Sequence, residues 1–162
     1  MLSAEGCRQR RQRLWQRLDP KPDSDHLRLA DPLHLMYLAS FHVDPFSLGA
    51  DYGGYLLIRK DGQAKLIHDN RLPKSVEDAH VEDRQVVSWY DGQSPGHGPR
   101  RLALLEAVNP AHDGLRIHDR PGDPYAATLT NTIAEMRRRK ESYVDTVLRP
   151  RRSCEITRSK LL

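Results

Sequence analysis

The chain has no apolar stretch approaching the roughly 18 residues of a membrane span, so it is not expected to enter a bilayer. Its basic start, Met1 to Leu18, lacks the apolar h-region of a secretory signal. Two cysteines, Cys7 and Cys154, are too few for a disulfide framework or a four-ligand zinc site, and they predict a reducing, cytoplasmic setting. Neither H-E-x-x-H nor C-x-x-C occurs. Ser94 lies in Gly92-Gln93-Ser94-Pro95-Gly96, which departs from the G-x-S-x-G nucleophile elbow in spacing and through Pro95. The glycines of that segment could suggest a phosphate cradle. However, Pro95 and Pro99 each remove a backbone N–H, and no Gly-Lys-Ser/Thr follows, so it is predicted to be a plain strand-to-helix connection. The ending Ser159-Lys160-Leu161-Leu162 carries one residue too many for a peroxisomal signal.

What remains is a length of 162 residues, enough for one ordinary domain, with an apolar share of 38% that allows a modest core. The net charge of +4 is unevenly spread. Residues 1–17 hold five Arg and one Glu, for +4, and residues 137–162 hold nine Lys/Arg against three Asp/Glu, for +6. Residues 18–136 hold twelve Lys/Arg against eighteen Asp/Glu, for −6. A phosphate-gripping protein concentrates basic charge on its folded face. The acidic middle therefore argues against nucleic acid as a partner, and the basic ends are predicted to be a solvated helix face and a charged tail.

Residues 8–18 have the spacing of a helix, with Cys7, Leu14, Trp15 and Leu18 on one stripe and arginines covering the rest. His26 to Ala30 is a strand candidate. Asp31-Pro32 is an N-cap with Pro at the first helical position, opening a helix with Leu33, Met36, Tyr37 and Phe41 at helical spacing. A loop follows, from His42 to Tyr52. Gly54 to Arg59 and Ala64 to His68 form a hairpin, with Asp61-Gly62 as a two-residue turn signal. Further elements are a short acidic helix over 72–80, a β run from Gln85 to Tyr90, and a helix carrying Leu102, Leu105 and Val108. After these come a strand at Leu115-Arg116-Ile117 and a last helix capped by Asp123-Pro124, with Ala127, Leu129, Ile133 and Met136 apolar. Strands alternating with helices around one hairpin predict an α/β domain, a mixed β-sheet flanked by helices.

Three local clusters invite chemistry. His112 and His118, each beside an aspartate, could form a metal pair, but they fit solvated turn residues better. The segment Phe41-His42-Val43-Asp44-Pro45-Phe46 gathers aromatic, imidazole and carboxylate groups just past a helix, and loops carry function more often than cores do. It has no nucleophile or metal set to complete a catalytic unit, so packing over the sheet end is the plainer reading. A small-molecule pocket at the C-terminal ends of the strands, involving Asp44, is a further candidate.

The order of these elements resembles the N-terminal domain of the creatinase/prolidase/aminopeptidase P family. The resemblance rests on the opening Arg-rich helix, Leu27-Arg28-Leu29-Ala30-Asp31, and His34-Leu35-Met36-Tyr37-Leu38-Ala39-Ser40-Phe41. It continues through the hairpin Tyr55 to Asp69 and Ile133-Ala134-Glu135-Met136-Arg137-Arg138-Arg139-Lys140. The family carries a Tyr-Leu-(Ser/Thr)-Gly-Phe-like segment where this chain has Ala39-Ser40 as its small-residue pair. The match spans about residues 8–148. It implies a sheet domain of ribonuclease H-like shape over residues 1–140, followed by a linker-helix remnant and basic tail over 141–162. The family's pita-bread catalytic domain, with its dinuclear metal held by two Asp, one His and two Glu, would begin where this chain stops. The resemblance thus implies a chain with no catalytic residue, metal or cofactor of its own. It would act in dimer assembly and in shaping substrate access for a catalytic domain or neighbouring subunit, through Phe41, His42, Asp44 and Phe46. The alternative is a small nucleic-acid-associated protein using its basic termini.

Overall fold

The computed structural model describes residues 2–18, 25–42, 54–71, 76–90, 100–108 and 125–139. Helix α1 spans Ala4–Arg17, and its N-cap Ser3 accepts a hydrogen bond from the Gly6 N–H at 3.1 Å. Strand β1 is His26–Leu29 and helix α2 is Pro32–Ala39. Strands β2 (Gly54–Arg59), β3 (Ala64–Asp69) and β4 (Asp83–Val87) follow, then helices α3 (Arg100–Val108) and α4 (Ala126–Arg138). The strands form one sheet in the order β1-β2-β3-β4. The first two pairings are antiparallel and β3–β4 is parallel. The mixed sheet and flanking helices are those expected from the alternation of strand and helix patterns.

Period-two alternation sorts the strands' side chains onto two faces. Leu27 and Leu29 of β1, Leu56 and Ile58 of β2, and Ala64 and Leu66 of β3 share the main core with Leu14, Trp15 and Leu18 from the first helical segment. Leu35, Leu38 and Phe41 from α2 and its exit complete this core, with Leu129, Ile133 and Met136 from α4. The opposite face holds a smaller core, Tyr55 and Ile67 against Leu104 and Val108 of α3. Each fully buried Leu or Ile contributes about 1.5–3 kcal/mol. Beside this smaller core, Asp69 and Arg100 form a buried ion pair, with the Arg100 Nε donating to Asp69 Oδ2.

Several local expectations shift. The α2 cap is as the sequence indicates: Asp31 Oδ1 accepts from the N–H groups of Leu33 at 2.8 Å and His34 at 3.1 Å. The buried face is different. Leu33 is 54% exposed and Met36 39%, while His34, Leu35, Tyr37 and Leu38 are buried. The helix also ends at Ala39, before Phe41. In α3 the buried stripe is Leu104 and Val108, and Leu102 faces solvent. β4 begins at Asp83, earlier than Gln85, and ends at Val87. Helix α4 starts from Tyr125, which makes no side-chain cap bond, and its stripe Leu129, Ile133 and Met136 is buried as expected. Of the proposed acidic helix over 72–80, residues 76 and 77 are helical. Leu115–Ile117, His112, His118, Asp123, Pro124 and the tail from 141 onward lie outside the described residues.

The hairpin turn is one residue longer than the two-residue Asp61-Gly62 signal suggests. Arg59 O accepts from the Gly62 N–H, and the Arg59 N–H donates to Gln63 O, both at 2.9 Å. Gly62 is left-handed, with φ 84. This is a three-residue loop, a tight turn followed by a left-handed residue that forms a bulge.

Candidate functional site

Helix α1 was expected to turn its arginines to water. Instead, Arg10 and Arg11 have no exposed surface, while Cys7, Leu14 and Trp15 on the same helix are buried as expected. The positive charge of the N-terminal segment is therefore not simply a solvated face. The positional reason is simple. Steps of three and four from Cys7 reach Arg10 and Arg11 before Leu14, so both arginines occupy the inward stripe.

Their burial is supported by what they bind. Arg11 donates from Nε to Gly62 O at 2.6 Å, and from Nη1 to Leu38 O at 3.0 Å and His80 O at 2.8 Å. Its Nη2 donates to both carboxylate oxygens of Glu82, at 2.9 and 3.0 Å. Glu82 Oε2 accepts in turn from the Ala64 N–H at 2.7 Å. Burial pulls the Arg11 guanidinium below the usual arginine range, and the Glu82 carboxylate opposes that pull. Arg10 donates from Nε to Tyr37 O at 2.8 Å and from Nη2 to Cys7 Sγ at 3.0 Å. Its guanidinium carbon sits 5.0 Å from the centroid of the Tyr37 ring.

These contacts solve a problem at the end of α2. The last four carbonyls of a helix lack intrahelical partners. Here Met36 O accepts from the Ser40 N–H, Tyr37 O from Arg10, Leu38 O from Arg11 and Ala39 O from the His80 N–H. Two guanidinium groups at a helix C-terminus also complement its dipole. Ser40 then turns the chain in the left-handed region, at φ 55 and ψ 21. The exit of α2 is thereby pinned to α1, to the hairpin and to the residues leading into β4.

That exit carries the first two of the sequence-derived candidates. Phe41 is 1% exposed, packed in the main core, so its ring is a structural anchor rather than a contact surface. His42, the next residue, is exposed. Asp44 and Phe46 lie outside the described residues, and so does the rest of the proposed access segment to Tyr52. Among the described residues, no three His, Cys, Asp or Glu side chains come together as a metal-binding group, and no helix is long and apolar enough to cross a membrane. Residue type alone places charged side chains in solvent, which hides the Arg10–Arg11 clamp in the sequence. The available signal was their register with Cys7, Leu14 and Leu18.

A shallow cleft of about 610 Å³ opens beside α1, lined by Gln12, Trp15, Gln16, Lys60 and Asp61. A smaller one of about 220 Å³ lies along the hairpin end of the sheet, lined in part by His26, Arg59, Lys65 and Asp83. Among the described residues that line them, neither cleft contains a Ser, Thr or Cys.

Comparison with protein-family models, with curated proteins and with solved structures returned no match to this chain.

Proposed function

We propose that this chain is a non-catalytic domain of the creatinase/aminopeptidase P N-terminal type, acting in subunit assembly and in shaping access to a catalytic domain. One observation carries this reading. Ser40 occupies the place that the Tyr-Leu-(Ser/Thr)-Gly-Phe-like segment gives to glycine, and its backbone takes the left-handed conformation that glycine favours, at φ 55. The substitution thus keeps the turn that glycine would supply. The mixed sheet flanked by helices, with the α2 exit hydrogen-bonded to Arg10 and Arg11, is consistent with it. In this reading the clamp fixes where the segment beginning at Phe41-His42 leaves the domain, so that its outer residues reach a neighbouring subunit at a defined position.

Sedimentation velocity of the purified chain over a range of concentrations tests the assembly role. A species near twice the chain mass, shifted toward monomer by substitutions between His42 and Phe46, is the expected result. A strict monomer at every concentration contradicts it.

A further inference from the structure

The C-terminal ends of β3 and β4, the parallel pair of the sheet, meet in a small cluster of aromatic and cationic side chains. The Arg71 guanidinium lies over the Tyr90 ring, 4.6 Å from its centroid. The pair is built from both sides. Asn70 donates from Nδ2 to Tyr90 O, and its Oδ1 accepts from the N–H groups of Trp89 at 3.2 Å and Tyr90 at 2.9 Å. The Asn70 N–H donates to Val87 O at 3.2 Å, and the Arg71 N–H to Asp69 Oδ1 at 2.9 Å. Five hydrogen bonds therefore fix the backbone that carries the arginine and the backbone that carries the ring.

The guanidinium held there is not consumed. Among the described residues no carboxylate lies within ion-pair distance of it, and its N–H groups make no hydrogen bond. The nearby carboxylate, Asp69, is engaged by Arg100 through its other oxygen. A half-buried arginine resting on an aromatic face presents the edge of a planar fork, which matches a carboxylate in two parallel hydrogen bonds. The location is where open α/β sheets take ligands, beyond the carboxyl ends of parallel strands.

We propose that Arg71, stacked on Tyr90, is the recognition group of a carboxylate-binding site at the β3–β4 end. The charge balance favours a carboxylate over a phosphate. One unspent guanidinium matches a monoanion, whereas a phosphate dianion draws on several cations or a nest of backbone donors. The Trp89 ring, half-buried beside Tyr90, lies under the Arg100 guanidinium, 5.7 Å from the ring centroid. Arg100 is thus held by Asp69 and this ring, and Arg71 is the cation left to a ligand. The site does not depend on the family reading above.

The test is an NMR titration of the full chain, following the Arg71 Nε–Hε resonance and the Trp89 indole. The ligands are benzoate, inorganic phosphate, and one peptide with either a free or an amidated C-terminus. Saturable shifts with benzoate are expected for a free carboxylic acid. Shifts only with the free-ended peptide mark a chain terminus as the source. Arg71→Gln should weaken either by roughly tenfold or more, the size of a lost charge-assisted fork. Arg71→Lys should recover only part of the affinity, and Tyr90→Phe should keep most of it. Unchanged melting temperatures for the variants tie these losses to the fork. No saturable shift with any carboxylate, tighter binding of phosphate, or undiminished binding by Arg71→Gln would overturn the proposal.

Discussion

Arg11 on the first helix and Glu82 at the threshold of β4 meet end to end, one guanidinium nitrogen touching both carboxylate oxygens at 2.9 and 3.0 Å. The arginine side chain is 1% exposed and the glutamate 36%. Around this contact the carbonyls of Leu38, Gly62 and His80 converge on the same guanidinium, so one side chain joins α1 to α2, to the hairpin and to the strand entry.

Arg11→Ala would leave those carbonyls without a donor and Glu82 without its cation. A loss of about 3 kcal/mol or more is expected, mainly from three carbonyls left unpaired at about 1 kcal/mol or more each, since Glu82 is partly exposed and regains water. Glu82→Gln keeps the shape but turns one acceptor oxygen into an NH2 donor that faces Arg11 Nη2 or the Ala64 N–H. It also removes the counter-charge of the buried guanidinium, so it should cost about 1–3 kcal/mol. Urea denaturation of the two single variants and the double variant checks this. The double variant should be less destabilised than the sum, because both changes remove the same contact.

The sheet and the main core were legible in the sequence because their signals are periodic. Leu27, Leu29, Leu56, Ile58 and Leu66 alternate, and Leu14, Trp15 and Leu18 recur at helical spacing. Asp31-Pro32 announced its cap through local chemistry alone. The clamp was not legible in the same way. A buried arginine is justified by carbonyls that arrive from positions 27, 51 and 69 residues away, and no local pattern contains them. The inward face of α2 differs from its apolar spacing for a related reason. With His34 buried and Leu33 exposed, the packing of α1 across the helix outranked side-chain type. Arg71 on Tyr90 likewise joins residues made neighbours only by the parallel pairing of β3 and β4.

Gly62 illustrates a tight approach that sequence expresses only as a turn signal. A Cβ there would stand 2.4 Å from Gln12 Cγ and 3.2 Å from Arg8 O, on a residue with φ 84. Gly62→Ala should destabilise the chain by about 1–3 kcal/mol through backbone strain and crowding. Adding Gln12→Ala should relieve the crowding but not the strain, so calorimetry of the pair should show partial recovery. Full recovery would mean that the backbone conformation costs nothing.

At Ser40 the reverse change should help. The left-handed residue costs about 1–2 kcal/mol for a side-chain-bearing amino acid, offset by about 0.5–1 kcal/mol of extra glycine entropy in the unfolded chain. Ser40→Gly is therefore expected to raise the melting temperature modestly, and Ser40→Val to lower it. A lower melting temperature for Ser40→Gly would contradict the left-handed cap.

Burial pushes the Cys7 thiol above its usual range, against the nearby charges of Arg10 and Arg11. The folded chain thus keeps the thiol proton to higher pH than the unfolded chain does. Above the unfolded thiol value of about 8.5, the unfolded state holds fewer protons and stability should fall as pH rises. The decline should persist up to the folded value. Cys7→Ala should flatten this part of the profile, and the native thiol should resist iodoacetamide at pH 8. Rapid alkylation of the folded chain would contradict its burial.

The proposed role as an access and assembly domain is tested most directly by incubating the purified chain with a divalent metal and a short peptide carrying proline in its second position. The expected result is no metal-dependent release of the first residue over the buffer control. Chelator-sensitive cleavage by this chain alone would contradict the account.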